Sequence, residues 1–104
     1  MNVTDALNWR FAAKRMNGQK VPQEKLDRIL DAAHLAPSAY GLQPYTVLVI
    51  EDPKLRAKIS PVAFDQPQIK ESSHLLVFAA HDSINEEQVN EFIQLTAQQR
   101  GISL

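Results

Sequence analysis

The chain contains no cysteine among its 104 residues, which excludes disulfide bonds, thiolate metal sites and cysteine nucleophiles. It also lacks the G-x-G-x-x-G, Walker A, H-E-x-x-H and G-x-S-x-G sequences. Those absences remove the usual signatures of dinucleotide binding, phosphate-loop NTPases, zinc hydrolases and serine hydrolases. The three histidines (His34, His74 and His81) do not have the spacing of metal ligands, so no metal site is predicted.

The chain also has little net charge and no long apolar run. The formal net charge is −1, so no strong field attracts nucleic acid or an anionic membrane. No apolar run reaches 18 residues, and the N-terminal MNVTDALNWR lacks the apolar centre of a signal peptide. These absences make the cytoplasm the default expectation for its location. With 44% hydrophobic and 22% charged residues, the chain is expected to be one soluble globular domain.

Two helices are predicted in the N-terminal part. The first begins at Asn2, with Asp5 in its first turn. The second has Pro22 at its first helical position and ends near Ala36, because Pro37 disfavours helical geometry in the residue before it. The apolar positions that repeat at helical spacing in this second helix are Leu26, Ile29, Leu30 and Ala33.

Two apolar runs of strand length follow. The first, TVLVIE, spans residues 46–51 and is expected to be buried on both faces. Asp52 then begins a short helix that runs through Ile59 and is closed by Pro61. The second run, SSHLLVFAA, spans residues 72–80 and is predicted as the second strand.

A last helix is predicted from Ser83, which forms an S-x-x-E capping box with Glu86, to Arg100 and Gly101. Its predicted buried positions are Val89, Phe92, Ile93 and Thr96. We interpret Ser72 and Ser73 as junction residues and His74 as a hydrogen-bonded structural histidine.

Two strands separated by a helical crossover favour an α/β or α+β arrangement around a central sheet. A sheet of two strands is marginal by itself and leaves edges exposed. Either another chain completes this layer, or the sequence is part of a larger fold. We therefore expect a dimer rather than a monomer.

The helix-to-strand connection is unusual. Residues 35–45 read LAPSAYGLQPY, with two prolines, one glycine and no charge. Proline fixes the backbone, and small side chains permit close approach to a flat surface. The pattern fits a ligand-binding loop, and its alternative is a tightly packed connection.

Three features occur in a specific order along the chain. They are R-x-x-x-K at Arg10 and Lys14, then A-P-S-x-x-x-x-Q-P-Y before a strand, then F-D-Q-P-Q-I-K-E-S-S-H-L-L-V-F. Alone, Arg10 and Lys14 indicate a solvated basic end of the first helix. Together, the ordered set resembles the FMN-dependent nitroreductase and flavin reductase family, over nearly all of residues 3–82.

The resemblance implies an α+β nitroreductase-like fold, of which residues 1–104 form the N-terminal portion. It also implies a homodimer with FMN at the subunit interface and NAD(P)H as electron donor. Hydride would pass by a ping-pong route to a nitro, quinone or flavin acceptor. Two alternatives stay open, namely a non-catalytic flavin-binding relative and an inactive truncated domain. FMN is expected in preference to FAD, since no dinucleotide fingerprint is present.

The resemblance also implies cofactor-binding residues, and no catalytic residue. The cofactor-binding residues are Arg10, Phe11, Ala12, Lys14, Pro37, Ser38, Ala39, Gly41, Asp65 and Gln66. Arg10 would contact the phosphate or ribityl region, and Lys14 would lie near the pyrimidine edge of the flavin. The loop at residues 37–39 would pack on the flavin of the partner subunit.

Three residues depart from the family's pattern. Ala12 replaces a serine or similar polar residue, and Gly41 stands where asparagine is common, so two polar contacts are lost. Asp65 replaces an asparagine near the pyrimidine edge. A carboxylate accepts from the flavin N3–H but cannot donate to O2, and its charge opposes that of a reduced flavin. Gln66 offers an amide instead.

Overall fold

The computed structural model describes residues 1–103. In chain order its helices and strands are α1 (Val3–Trp9), α2 (Gln23–Leu35), β1 (Tyr45–Ile50), α3 (Pro53–Ile59), α4 (Pro67–Glu71), β2 (Leu75–Ala80) and α5 (Glu86–Arg100). Two short 3-10 turns occupy Ala39–Gly41 and Ser60–Ala63. Within the described part of the chain, no helix has the length and apolarity needed to cross a bilayer.

β1 and β2 pair with each other in a two-stranded sheet. The pairing is antiparallel, since the His81 N–H after β2 donates to the Pro44 carbonyl before β1 at 2.9 Å. This arrangement confirms the α+β class. Burial of β1 on both faces was wrong, because Leu48 and Val49 are exposed. A sheet of only two described strands leaves apolar side chains uncovered.

The described chain forms two compact units. The first unit comprises residues 1–21 and 49–75, and contains α1, α3, α4 and one end of the sheet. The second unit comprises residues 22–48 and 76–103, and contains α2, α5 and most of both strands.

The first unit is built around α3. Asp52 caps this helix by accepting hydrogen bonds from the N–H groups of Lys54 and Leu55, and Pro53 occupies its first turn. The buried side of α3 and the following turn carries Arg56, which is 5% exposed, and Ser60, which is 1% exposed. A polar interior of this kind is stable only when its groups are hydrogen-bonded.

Arg56 satisfies that requirement at the end of α4. Its guanidinium donates to the Ile69 carbonyl at 2.7 Å, to both oxygens of Ser72 and to the Ser73 carbonyl at 3.4 Å. These bonds turn the chain from α4 into β2. The predicted strand at residues 72–80 therefore begins only at Leu75, and α4 was not predicted.

The second unit has an apolar centre. Leu26 of α2 and Ala97 of α5 are its buried apolar residues in the described chain. α2 ends at Leu35 with Ala36 as its C-cap, as predicted, but Pro22 is the N-cap residue rather than the first helical residue. The predicted and observed starts of α2 therefore differ by one residue.

α5 begins later than predicted. Asn85 is its N-cap and accepts from the Gln88 N–H at 2.9 Å, while the Gln88 side chain accepts from the Asn85 N–H at 3.0 Å. This capping box replaces the predicted pair of Ser83 and Glu86. The end of the helix is as predicted, because Gly101 forms a left-handed C-cap with φ of 64°.

Candidate functional site

The predicted basic pair lies beyond the first helix rather than on it. α1 ends at Trp9 and Arg10 is its C-cap, so Lys14 belongs to an irregular segment. Both side chains are exposed, and neither forms an ion pair with another of residues 1–103. Phe11 between them is 87% exposed, and Ala12 is also exposed. This segment therefore leaves two cations and an aromatic ring exposed to solvent.

The second predicted element of the first unit is a strained turn. Phe64 and Asp65 have φ of 57° and 49°, so two consecutive residues other than glycine are left-handed. Such a conformation costs roughly 1–2 kcal/mol per residue. Ser60 holds it, because its hydroxyl donates to Asp65 Oδ1 at 3.0 Å and its carbonyl accepts from the Asp65 N–H at 2.8 Å. Asp65 Oδ2 accepts no hydrogen bond from another of residues 1–103.

Helix α4 connects this turn to the basic segment. It begins directly after Gln66, and Gln68 Nε2 donates to the Ala13 carbonyl in a long hydrogen bond of 3.4 Å. At its other end, Glu71 binds the Arg15 guanidinium, with an Nη2 to Oε1 distance of 2.6 Å. Residues 13–16 are thus hydrogen-bonded to α4, the helix that directly follows the turn at residues 65–66.

Charge complementarity keeps Glu71 ionised. Its hydrogen bond with Arg15, followed by that from the Met16 N–H, lowers the pKa of the Glu71 carboxyl below its ordinary value. The same contact raises the pKa of Arg15. At neutral pH the pair is therefore fully charged.

A separate polar network lies at the start of β2. The His74 side chain is 8% exposed, with Nδ1 at 2.8 Å from Ser73 Oγ and Nε2 at 3.1 Å from Glu51 Oε1. Lys20 contacts the same carboxylate at 3.0 Å. The pKa of Glu51 is lowered mainly by its hydrogen bond with Lys20, and His74 contributes further. Ser73 Oγ also accepts from the Val21 N–H at 2.7 Å. These contacts match the structural roles predicted for Ser73 and His74.

The predicted flavin-facing loop belongs to the second unit. Ser38 Oγ accepts from the Gln43 N–H at 3.0 Å, and Gln43 Nε2 donates to the His34 carbonyl at 2.6 Å. The Ser38 hydroxyl donates its own proton to no acceptor within residues 1–103. Pro37 and Ala39 are exposed. The loop is therefore anchored at its base and accessible along its outer side.

Gly41, at a position where asparagine is common in the family's pattern, has a left-handed backbone. Its φ is 72°, and a Cβ at this position would contact the ring of Phe92 at 3.5 Å. Glycine adopts this conformation without strain. Beside it, Tyr40 is also left-handed, with φ of 54°, and its side chain is 91% exposed.

The arrangement fits an anionic, planar cofactor such as FMN. Arg10 offers a charge-assisted donor for a phosphate, and Lys14 a cation for an electron-rich ring edge. Asp65 offers an acceptor for an N–H group and Gln66 an amide with both capabilities. No group of acidic residues and histidines within residues 1–103 is arranged to hold a metal ion.

Sequence reasoning missed four residues that hold this site, namely Arg15, Arg56, Ser60 and Glu71. Arg15 and Glu71 are separated by 55 intervening residues, since their positions differ by 56. No local pattern links them. Arg56 lies in the short helix predicted between Asp52 and Pro61, but nothing in the sequence indicated that its side chain is buried.

Comparisons with known proteins agree with the sequence motifs. The model of the nitroreductase family matches residues 7–100. The "Putative NAD(P)H nitroreductase YodC" of Bacillus subtilis is 32% identical over 98 residues, covering 93% of this chain and 48% of that protein. The "NADH dehydrogenase" of Thermus thermophilus is 37% identical over 71 residues, covering 68% and 35% respectively.

Solved structures include a similar fold with a flavin. The "putative nitroreductase in complex with FMN" from Exiguobacterium sibiricum superposes with a TM-score of 0.73 and 25% identity, over 99% of this chain and 49% of that one. The chain belongs to the nitroreductase family. It spans less than half the length of the two relatives named above.

Proposed function

We propose that the protein is an FMN-dependent oxidoreductase that passes hydride from NAD(P)H to a nitro, quinone or flavin acceptor. The observation that carries this proposal is the exposure of Arg10 and Lys14, which form no ion pair within residues 1–103. Their segment is hydrogen-bonded to α4, which directly follows the Asp65–Gln66 turn. Family membership and the FMN in a similar structure support it. The proposed location is the cytoplasm.

Each predicted cofactor-binding residue in the first unit has a proposed task. The flavin ring, when bound, would supply the hydride chemistry. Arg10 binds the phosphate or ribityl region, with Phe11 and Ala12 beside it. Lys14 places a cation near the N1 and O2 edge, which favours added negative charge there. Asp65 accepts from N3–H through Oδ2, because Ser60 already occupies Oδ1. Gln66 supplies the donor that Asp65 lacks.

The second unit would cover the flavin of a partner subunit. Pro37, Ser38 and Ala39 form the outer side of its anchored loop, and Gly41 leaves space beside Phe92. Small side chains permit a flat ring and a substrate to approach closely. This role requires a second copy of the chain.

Exposed apolar side chains support a homodimer. Several apolar residues of the first unit, on α1 and in the irregular segments, are more than three-quarters exposed. They include Val3, Trp9, Phe11, Val62 and Phe64. Apolar surface of this kind is commonly covered by a partner. Light scattering at micromolar concentration is expected to give a dimer, and a stable monomer with a cooperative melting transition would contradict this assembly.

Purified protein tests the cofactor and the activity in turn. We expect a yellow protein whose flavin, released by acid, chromatographs as FMN, and NAD(P)H should bleach the flavin absorbance. Recovery of FAD alone would contradict the cofactor assignment. Bound FMN without bleaching would favour a non-catalytic flavin-binding protein, and failure to bind flavin would favour an inactive domain.

A further inference from the structure

The carboxylate of Glu71 is saturated by the two residues that directly follow Lys14. Arg15 Nε lies 2.9 and 3.0 Å from its two oxygens, and Arg15 Nη2 lies 2.6 Å from Oε1. The backbone N–H of Met16 donates to Oε2 at 3.1 Å. A forked guanidinium contact with a backbone bond beside it fixes direction as well as distance.

Glu71 is the last residue of α4, and Asp65 and Gln66 come immediately before that helix. Five residues at a rise of about 1.5 Å each make α4 a spacer of roughly 7.5 Å. Arg56 holds the C-terminal end of α4 through the carbonyls of Ile69 and Ser72. The distance from the Asp65 turn to the carboxylate of Glu71 is therefore set by a rigid element.

The segment that Glu71 holds has no regular structure. Residues 10–22 contain neither helix nor strand, so their backbone depends on side-chain contacts. Arg15 is 76% exposed and Glu71 is 27% exposed in their side chains. An exposed ion pair contributes little to overall stability. Ordering the Lys14 segment is thus the more consequential effect of this contact.

We propose that Glu71 is a positioning residue that fixes Lys14 relative to the Asp65–Gln66 turn, and thereby sets flavin affinity and potential. The inference rests on the proposed FMN function. It concerns this chain's own ion pair between residues 15 and 71 and assigns Glu71 no contact with the flavin.

The sign of the potential change separates positioning from simple charge. Glu71→Gln removes a negative charge, which by Coulomb interaction alone raises the potential of a nearby flavin. If Glu71 positions Lys14, the same substitution releases that cation and lowers the potential. Glu51→Gln is the matched control. Glu51 is also a glutamate of the first unit in an ion pair, with Lys20, but it belongs to the network at the start of β2.

The experiment uses the protein purified at its full natural length, in wild-type form and as Glu71→Gln, Arg15→Ala, Glu51→Gln and Lys20→Ala. Fluorescence titration with FMN gives the dissociation constant, and redox titration gives the midpoint potential. We expect Glu71→Gln and Arg15→Ala to raise the FMN dissociation constant by about twofold to fivefold, the range of a partly exposed ion pair. Both variants should lower the potential, whereas Glu51→Gln should not lower it and Lys20→Ala should leave flavin affinity within experimental error.

Two further readouts test the mechanism. In flavin-free protein, hydrogen exchange at the Met16 amide should accelerate in Glu71→Ala, because that amide loses its acceptor. In a Lys14→Ala background, Glu71→Gln should cause no further drop in potential, since the cation it positions is already absent.

Three outcomes overturn the inference while leaving the proposed function intact. A raised or unchanged potential in Glu71→Gln would assign only a charge effect or none, and an additive drop in the double variant would separate Glu71 from Lys14. Unchanged exchange at Met16 would show that the contact does not order the segment. If the wild-type protein binds no FMN, the proposed function fails first and the inference falls with it.

Discussion

The two units of the molecule differ in the contacts that stabilise the interior of each. In the first unit the buried residues of the described chain are Arg56 and Ser60, whereas in the second they are Leu26 and Ala97. The ion pairs between side chains within residues 1–103 also all belong to the first unit. The interior of the first unit thus depends on directional polar bonds, and that of the second on apolar burial.

This difference bears on the proposed division of work. Hydrogen bonds fix angles as well as distances, so a polar interior can hold charged side chains at defined positions. Apolar contacts are non-directional and tolerate small shifts. The first unit is therefore suited to recognise the heteroatoms of a ligand, while the second presents a loop of small residues on a helix-and-strand support.

The largest expected effect is the loss of Arg56. Arg56→Ala removes the donor from the carbonyls of Ile69, Ser72 and Ser73, and should lower the free energy of unfolding by about 3–5 kcal/mol, since each unsatisfied buried group costs roughly 1–3 kcal/mol. Urea denaturation measures it. Lys58→Ala, an exposed change on the same helix, should stay within about 0.5 kcal/mol.

The apolar counterpart is Leu26. Leu26→Ala should lower the free energy of unfolding by about 2–3 kcal/mol, because it removes buried methyl groups and leaves a cavity. Ile29→Ala on the same helix, where the side chain is 48% exposed, should cost less than half as much. If Leu26→Ala costs more than Arg56→Ala, the contrast between the units would be reversed.

Lys14 tests whether the polar unit acts on the cofactor. If Lys14 lies beside flavin N1 and O2, Lys14→Ala removes an interaction of about 1.5–3 kcal/mol, which corresponds to a drop of roughly 30–60 mV in the two-electron potential. Asp65→Asn should raise the potential, because it removes a negative charge from the same edge. Redox titration that gives unchanged midpoints for both variants would place these side chains away from the flavin.

A smaller effect is expected at the cap of α5. Asn85→Ala removes the acceptor for the Gln88 N–H and should cost about 1 kcal/mol of unfolding free energy. Ser83→Ala should change stability much less, although the S-x-x-E pattern singled it out. Equal losses in the two variants would show that both residues contribute to the cap.

The smallest effect concerns acid. The pKa values of Glu51 and Glu71 are lowered in the folded protein, so their stabilising contribution is complete above the ordinary glutamate pKa of about 4.3 and is lost as pH falls through the lowered values. The Glu51→Gln/Glu71→Gln variant should therefore show a shallower loss of stability below about pH 4 in urea denaturation. A dependence as steep as that of the wild type would exclude both pairs as its source.

Local chemistry predicted most element ends but could not choose between competing signals. The sequence S-I-N-E-E-Q contains two overlapping cap patterns, one at Ser83 and one at Asn85, and the helix uses the one at Asn85. α4 was missed because five residues are too few to show a helical period. Lys14 was placed on a helix that ends at Trp9.

The ordered motifs identified the segments of the candidate site, but not what holds them. Arg10, Lys14 and Asp65 were named from the resemblance, and their tasks remain predictions. The pair of Arg15 and Glu71 arises only when the chain folds, because no local spacing brings these residues together. Burial of Arg56 likewise depends on the turn from α4 into β2.

The hydrogen bonds of Arg56, in α3, also have a consequence for the order of folding. Its bonds to Ile69, Ser72 and Ser73 span 13 to 17 positions, whereas Lys20 pairs with Glu51 across 31 and Arg15 with Glu71 across 56. Closing a short loop costs less entropy than closing a long one. Residues 52–73 should therefore gather around Arg56 first, and the N-terminal segment should dock last. During synthesis, Arg15 also leaves the ribosome long before Glu71 exists. A ligand that binds beside Lys14 would then select chains in which this late step is complete.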